Sequence, residues 1–393
     1  MTVYLDHAAT TPVLPAAAEA LAAALAHAGN PSSLHASGRA ARRTVEESRE
    51  RLAAALGARP SEVVLTSGGT EADNLAVQGL FRARRAGDPR RRRVLVSAVE
   101  HHAVLDPAAW LAEHEGAEAV LLPVAGDGVL DLDALHDELA AHGDEVALVS
   151  VMWANNEVGA VQPLAAVVAA AHARGIPVHA DAVQAVGQVL VDFDASGLDA
   201  MTVTAHKVGG PVGIGALLAR RGLALEPVLH GGGQERGVRS GTLAAPLAAA
   251  FAVAAEAAVD GRAAFAARTA ALRDRLVAGV LASVPGATLR GPEPARRLPA
   301  NAHVTFAGCE GDSLLYLLDA AGVEVSTGSA CQAGVPEPSH VLLAMGLAED
   351  DARGALRFSF GHTSTDEDVD RVLEVLPGVV ARARAAGLVA VHA

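Results

Sequence analysis

Between about Ser61 and Arg220, short aliphatic and β-branched runs alternate with alanine-rich stretches of helical periodicity. The runs Val63-Val64-Leu65, Val94-Leu95-Val96, Val146 to Val151, Ile176 to Ala180 and Ala200 to Thr204 read as strands covered on both faces. Helices are predicted between them, at Thr70 to Arg85, Asp131 to His142 and Pro163 to Arg174. Strand and helix in alternation make an α/β chain with a mainly parallel sheet. Such sheets bind ligands beyond the carboxyl ends of their strands, so the residues just after each run are the ones to inspect.

After about Ala258 the pattern changes to fewer strands and long amphipathic helices, including Thr365 to Arg384, and a second, smaller domain is expected there. The longest apolar stretch, Leu243 to Ala255, is shorter than a membrane span, contains Pro246 and is closed by Glu256. It reads as a buried helix. No basic segment precedes an apolar one near Asp6 and His7, so neither a secretion signal nor a membrane anchor is expected and the cytoplasm is the default. Two cysteines, Cys309 and Cys331, are too few for a disulfide framework and lack zinc-site spacing. The net charge of −14 argues against a nucleic-acid coat. Arg82, Arg84, Arg85 and Arg90 to Arg93 form a local basic cluster, read either as a helix C-terminus with a solvated loop or as a partner surface.

The chain carries thirty arginines and one lysine, Lys207, in the run Thr204-Ala205-His206-Lys207 at a strand end. A lysine amine can lose its proton and attack a carbonyl, which a guanidinium cannot. Lys207 is therefore a candidate for covalent amine chemistry, set against the alternative of a surface lysine spared by an arginine bias. At another strand end, Thr66-Ser67-Gly68-Gly69-Thr70-Glu71 runs straight into a helix, a pattern that cradles phosphate on free N–H groups or simply makes a turn. Asp181, in His179-Ala180-Asp181-Ala182, could keep a heteroaromatic nitrogen protonated or could cap a helix. Amine, phosphate cradle and ring acid together describe a pyridoxal phosphate site.

Glu100-His101-His102 lacks metal-motif spacing, and His101 or His102 could stack on a cofactor ring. Cys331 lies in the small-residue segment Ser326-Thr327-Gly328-Ser329-Ala330-Cys331, where an exposed nucleophilic thiol is favoured over a packing role. Cys309 reads as structural. Arg357, in Ala355-Leu356-Arg357-Phe358, suits a substrate carboxylate or a structural ion pair.

These residues are those of a known family. The chain resembles the NifS/IscS-type cysteine desulfurases, pyridoxal-phosphate enzymes of the class V aminotransferase superfamily. The likeness runs from Tyr4-Leu5-Asp6-His7-Ala8-Ala9-Thr10-Thr11-Pro12 to Arg357-Phe358-Ser359-Phe360-Gly361. It passes through Gly29-Asn30-Pro31, Thr66 to Glu71, Glu100-His101, Asn155-Asn156-Glu157-Val158-Gly159, Asp181 to Gln184, His206-Lys207, His230 to Gly237, Arg239-Ser240-Gly241-Thr242 and Gly328 to Cys331. Gly209 and Val212 replace the bulky and basic residues common after the lysine, and His362 replaces a common arginine.

The resemblance implies the fold type I pyridoxal-phosphate transferase architecture. Residues 14–257 would form a large domain with a mainly parallel seven-stranded sheet. Residues 1–13 and 258–393 would form a smaller α+β domain carrying the catalytic cysteine loop. It implies that Lys207 holds the cofactor, His101 stacks on its ring, Asp181 binds the ring nitrogen, and Gln184 and Asn156 lie near the phenolic oxygen. Gly69, Thr70, Thr204 and His206 would surround the phosphate, joined by Thr242 from the neighbouring subunit of a homodimer. Arg357 and Asn156 would hold the carboxylate of L-cysteine. Cys331 would take the substrate sulfur as a persulfide, leave alanine, and pass sulfur to an acceptor for iron–sulfur assembly or for tRNA or cofactor thiolation. Its thiolate needs activation, since a free thiol with a pKa of about 8.5 is mostly protonated at neutral pH. An aminotransferase or selenocysteine lyase of the same fold is the main rival; a non-catalytic pyridoxal-binding protein is the other.

Overall fold

The computed structural model describes residues 2–328 and 338–390. Twelve strands occur among them: β1 Val3–Tyr4, β2 Val63–Thr66, β3 Arg93–Ser97, β4 Glu118–Leu122, β5 Val146–Ser150, β6 Val178–Asp181, β7 Ala200–Thr204, β8 Gly215–Ala219, β9 Ala287–Arg290, β10 Asn301–Phe306, β11 Val323–Glu324 and β12 Ala355–Ser359. Seven of them make one sheet in the order β2-β8-β7-β6-β5-β3-β4. Only β8 runs against the rest, pairing antiparallel with both β2 and β7. The remaining pairs are parallel, so the α/β architecture with a mainly parallel sheet is the observed one.

The central strands are buried at every position, as the unbroken apolar runs predict. Two strands are not announced by such branched apolar runs, for physical reasons. At the sheet edge, β4 is half-exposed, with Leu121 facing solvent. In β8 the sequence Gly-Ala-Leu-Leu-Ala has no β-branched residue, and its strand state comes from neighbours on both sides. The predicted helices are present, with ends moved by a residue or two: Gly69–Gly87, Leu132–His142 and Leu164–His172. The apolar stretch near Leu243 is the helix Ala245–Asp260, packed against the helices Pro15–Leu25 and Ala36–Ala55.

A second core lies beyond the large sheet. There β9, β10 and β12 form an antiparallel sheet under the helices Arg262–Ser283 and Asp366–Ala390, around Leu276, Phe306, Phe358 and Val372. Val3 and Leu5 belong to this core, and β1 pairs in parallel with β11. The first residues therefore pack with the C-terminal part of the chain and bring Ala8 and Ala9 to the cavity at the end of the large sheet.

The arginine cluster is a helix C-terminus, with Arg84 and Arg85 in its last turn, followed by a loop where Arg90 and Arg92 are more than half exposed, and ion pairs tie much of it down. Arg82 meets Glu115 at 2.6 Å, Arg92 meets Glu145 at 3.0 Å, and Arg93 bridges Glu118 and Glu138. Arg91 donates to the carbonyls of Gly143 and Val146 at 2.8 and 2.9 Å. Among the described residues, no helix is long and apolar enough to cross a membrane.

Candidate active site

Strands β2, β3, β5, β6 and β7 end at one edge of the sheet, and the segments beyond these ends converge on a cavity of about 370 Å³. Gly69, Thr70, His101, Asn156, Asp181, Gln184, Thr204, His206, Lys207 and Arg357 all line it. Residues from Gly69 to Lys207 share one cavity because parallel strands present their carboxyl ends together, and Arg357 joins them from β12.

Lys207 closes a single 3-10 turn, Ala205–Lys207, after β7. Its Nζ donates to the carbonyls of Ala8 at 2.5 Å and Ala9 at 2.7 Å. Burial, and then the Arg357 guanidinium, lower its pKa to about 8, against the opposing pull of Asp181 and Asp6. The amine is therefore far closer to its nucleophilic form at neutral pH than an exposed lysine.

Asp181 ends β6, and its Oδ1 accepts from the Val183 amide at 2.8 Å. Burial raises it to about 6, while the Val183 bond and the Lys207 charge hold it down. Behind it lie two more buried acids. Asp73 is pushed well up by burial and then by the charge of Asp181, and Glu100 is pushed well up by burial. His179 donates or accepts at Ser150 Oγ, 2.9 Å, and Thr202 Oγ1, 3.0 Å, and burial drops its pKa to about 3. Of the three carboxyls, Asp181 is the one poised to ionise toward the cavity.

His101 caps the helix His102–Glu115, its Nδ1 accepting from the Ala103 amide at 3.0 Å. Burial, then the nearby Lys207, lower it to about 4. The ring is neutral, and with Nδ1 accepting, its proton sits on Nε2. His206 is also lowered to about 4 by burial and Lys207, and its Nδ1 lies 3.3 Å from Thr10 Oγ1. Gln184 Nε2 donates to the Ala8 carbonyl at 2.9 Å, and Thr204 Oγ1 donates to the Ile214 carbonyl at 3.2 Å.

Arg357, on β12, brings the second lobe into the cavity. Its Nη2 donates to Asp6 at 2.7 Å and its Nη1 to the Asn156 carbonyl at 3.0 Å, while its buried Nε has no partner among the described residues. This arginine is ion-paired, as one of its sequence readings has it, and it also lines the cavity. Asp6, Asp73 and Glu157 complete the surroundings; Asp6 and Glu157 lie in blocks that mark the family without assigning these acids a role, and Asp73 carries no local signal. Their partners lie across the fold.

Thr242 is exposed in the segment before the helix Ala245–Asp260 and is not among the residues that line this cavity. Cys331 lies outside the described residues. Cys309 is a free, buried cysteine whose pKa is raised by burial, as its structural reading requires.

The family model for class-V aminotransferases matches residues 3–372. The chain belongs to the class-V aminotransferase family. Within it, the chain is 59% identical over 390 residues to an IscS-like cysteine desulfurase of Mycobacterium tuberculosis, covering 99% of each. It is 45% identical to a cysteine desulfurase of Cereibacter sphaeroides, covering 98% of this chain and 97% of the relative. A solved NifS-like protein superposes with a TM-score of 0.89 at 34% identity, covering 97% of this chain and all of the other. A NifS-like protein from Rickettsia africae gives 0.86 at 30%, over 97% of this chain.

Class-V aminotransferases of this kind depend on pyridoxal 5'-phosphate, and the cavity fits that group. The helix Gly69–Gly87 opens without a side-chain cap, leaving its first N–H groups for an anion. A Cβ at Gly69 would stand 3.2 Å from Val183 Cγ2, so the cradle narrows with any larger residue. An aldehyde finds the amine of Lys207 here, and a protonated ring nitrogen finds the carboxyl of Asp181.

Proposed function

We propose that this class-V aminotransferase is a cysteine desulfurase that converts L-cysteine to L-alanine and leaves the sulfur as a persulfide on Cys331. The observation that carries the reading is the meeting of the chain's only lysine, at Nζ, with Asp181 and Arg357 in one cavity. The names of its relatives point the same way.

Lys207 would hold pyridoxal phosphate, with Asp181 at the ring nitrogen, His101 against the ring, and Gln184 and Asn156 near the phenolic oxygen. Gly69, Thr70, Thr204 and His206 would receive the phosphate. When bound, the cofactor supplies a sink for the electron pair left as the substrate Cα loses its proton. Arg357, with Asn156 beside it, binds the substrate carboxylate and orients it. The Lys207 amine takes the Cα proton, which its lowered pKa permits near neutral pH. Neutral His101 donates from Nε2 and positions the groups that lie against it. The Cys331 thiolate attacks the substrate sulfur: an S–S bond forms as the Cβ–S bond breaks, and the carbon fragment takes up a proton and leaves as alanine.

In this reading the enzyme works in the cytoplasm as a homodimer, each subunit lending Thr242 to the other's phosphate. Residues 14–257 form the large domain, and 1–13 with 258–393 form the small one. Sulfur then passes to an acceptor protein, an iron–sulfur scaffold or a thiolase acting on tRNA or a cofactor. Incubation with L-cysteine and a thiol reductant, with alanine and sulfide both measured, tests the proposal. Equal yields are expected, and Cys331→Ala should abolish them while keeping the cofactor's absorbance. An enzyme that transaminates and is indifferent to Cys331→Ala would be the rival aminotransferase.

A further inference from the structure

Glu157 is a buried acid on the cavity wall that the chemistry above does not use. Its amide donates to Asn155 Oδ1 at 2.8 Å in an Asx turn, which turns its side chain away from β5 and toward the second lobe. There it meets two residues. The Ser339 hydroxyl donates to Glu157 Oε2, and the same oxygen of Ser339 accepts from the Leu342 amide at 3.2 Å. On the other side, Gly328 has φ of +88°, and a Cβ built on it would lie 3.3 Å from His303 Cε1 and 3.5 Å from Glu157 Oε2. The Cα of Gly328 therefore faces the carboxyl, with room between them for no more than a methyl group.

Gly328 and Ser339 flank the segment that carries Cys331. Both are tied to the substrate side of the cavity. The Gly328 amide donates to Ser326 Oγ at 3.0 Å, and Ser326 is bridged to Arg357, whose amide donates to the Ser326 carbonyl at 2.7 Å. The carbonyl of Asn156, one residue before Glu157, accepts from the Arg357 guanidinium. Burial raises the Glu157 pKa, opposed by the Ser339 bond and by His340 and Arg357.

We propose that Glu157 is a positioning residue that fixes both flanks of the Cys331 segment relative to Arg357, and so sets the approach of the thiol to the substrate sulfur. The inference rests on the desulfurase reading. It requires that loss of Glu157 harm sulfur capture more than substrate binding.

The test uses full-length holoenzyme and three measurements: the absorbance change on adding L-cysteine, the rate of alanine formation, and the rate of Cys331 alkylation by iodoacetamide. Cys309, 5% exposed, serves as the internal slow thiol. Glu157→Ala should keep the absorbance change, lower alanine formation about ten- to hundredfold, and shift Cys331 alkylation at least about threefold. Glu157→Gln should recover most of the rate, because its amide oxygen still accepts from Ser339. Ser339→Ala should show the same defect as Glu157→Ala in weaker form, and it decides the matter if Glu157→Ala does not fold. Alanine formation within about twofold of wild type in Glu157→Ala or, failing that variant, in Ser339→Ala overturns the proposal. So does a parallel loss of the absorbance change, or a Glu157→Gln as defective as the alanine variant. Wild type that makes no alanine from cysteine would instead remove the desulfurase reading itself.

Discussion

Arg357 and Asp6 are 351 residues apart in the chain and meet at 2.7 Å on the wall of the cavity. The contact joins the first turn of the polypeptide to β12 and fixes the plane of a guanidinium that is only 5% exposed. One of its nitrogens is already given to the Asn156 carbonyl and one to Asp6, leaving Nε without a partner among the described residues. A carboxylate approaching from the cavity meets a fork held in place from behind.

That geometry makes Arg357→Lys a severe change despite the retained charge. An ammonium cannot serve Asp6, Asn156 and a substrate carboxylate with the spacing of a planar fork. KM for cysteine should rise about ten- to hundredfold, with a smaller effect on kcat, in steady-state alanine assays.

The Lys207 amine gives a pH dependence of known sign. Nucleophilic capture needs the neutral amine, so the rate at which apoprotein takes up pyridoxal phosphate should climb with pH and level off above about 8, the value to which burial and Arg357 lower it. Arg357 disfavours the ammonium, so Arg357→Gln should move the midpoint upward. Asp181 favours the ammonium, so Asp181→Asn should move it downward. Stopped-flow absorbance across pH 6 to 10 reads both; midpoints that fail to move in opposite directions would contradict this account of the amine.

Much of this site is legible before any coordinates. Lys207, Asp181, Thr70 and His101 each come after a strand that its apolar run announces, and a parallel sheet brings strand ends together whatever their sequence separation. The hidden part is carried by backbone groups and by contacts between lobes. The Ala8 and Ala9 carbonyls that hold the lysine have no side-chain signature. Asp73 and Glu157 look like ordinary surface acids until distant elements bury them, and Asp6 until Arg357 pairs with it. In the fold, β8 and β4 are not legible because one lacks branched residues and the other lies half in water at the sheet edge.

His101 has two duties that mutation can separate. Its Nδ1 caps a helix, and its ring faces the cavity. His101→Ala should lose the cap, about 1 kcal/mol of stability, together with activity. Asn is a good cap residue with no aromatic ring, so His101→Asn should restore the urea midpoint while leaving alanine formation impaired at least about tenfold. Recovery of activity along with stability would show that the ring contributes only the cap.

The last prediction concerns the edge of the sheet beneath the phosphate cradle. β2 is an edge strand, and its outward Val63 carbonyl and Leu65 amide need partners. An ion pair supplies them. Arg49 donates to the Val63 carbonyl at 2.7 Å, Glu235 accepts from the Leu65 amide at 2.9 Å, and the two side chains join through bonds of 2.8 and 2.6 Å. Both are almost fully buried, at 7% and 1% exposure. Glu235 and Arg236 adopt left-handed backbone conformations, φ 47° and 58°, so the surrounding structure must hold this turn against its own preference. Glu235→Ala would leave the buried Arg49 guanidinium with only the half-exposed Glu46, at 3.2 Å, as ionic partner and the edge amide with none, and should lower unfolding free energy by about 3 kcal/mol. Adding Arg49→Met should recover only part of that loss: the buried charge is gone, yet the Val63 carbonyl and Leu65 amide remain without partners. Urea unfolding of the single and double variants measures the difference, and full recovery in the double variant would mean that the edge groups find water instead.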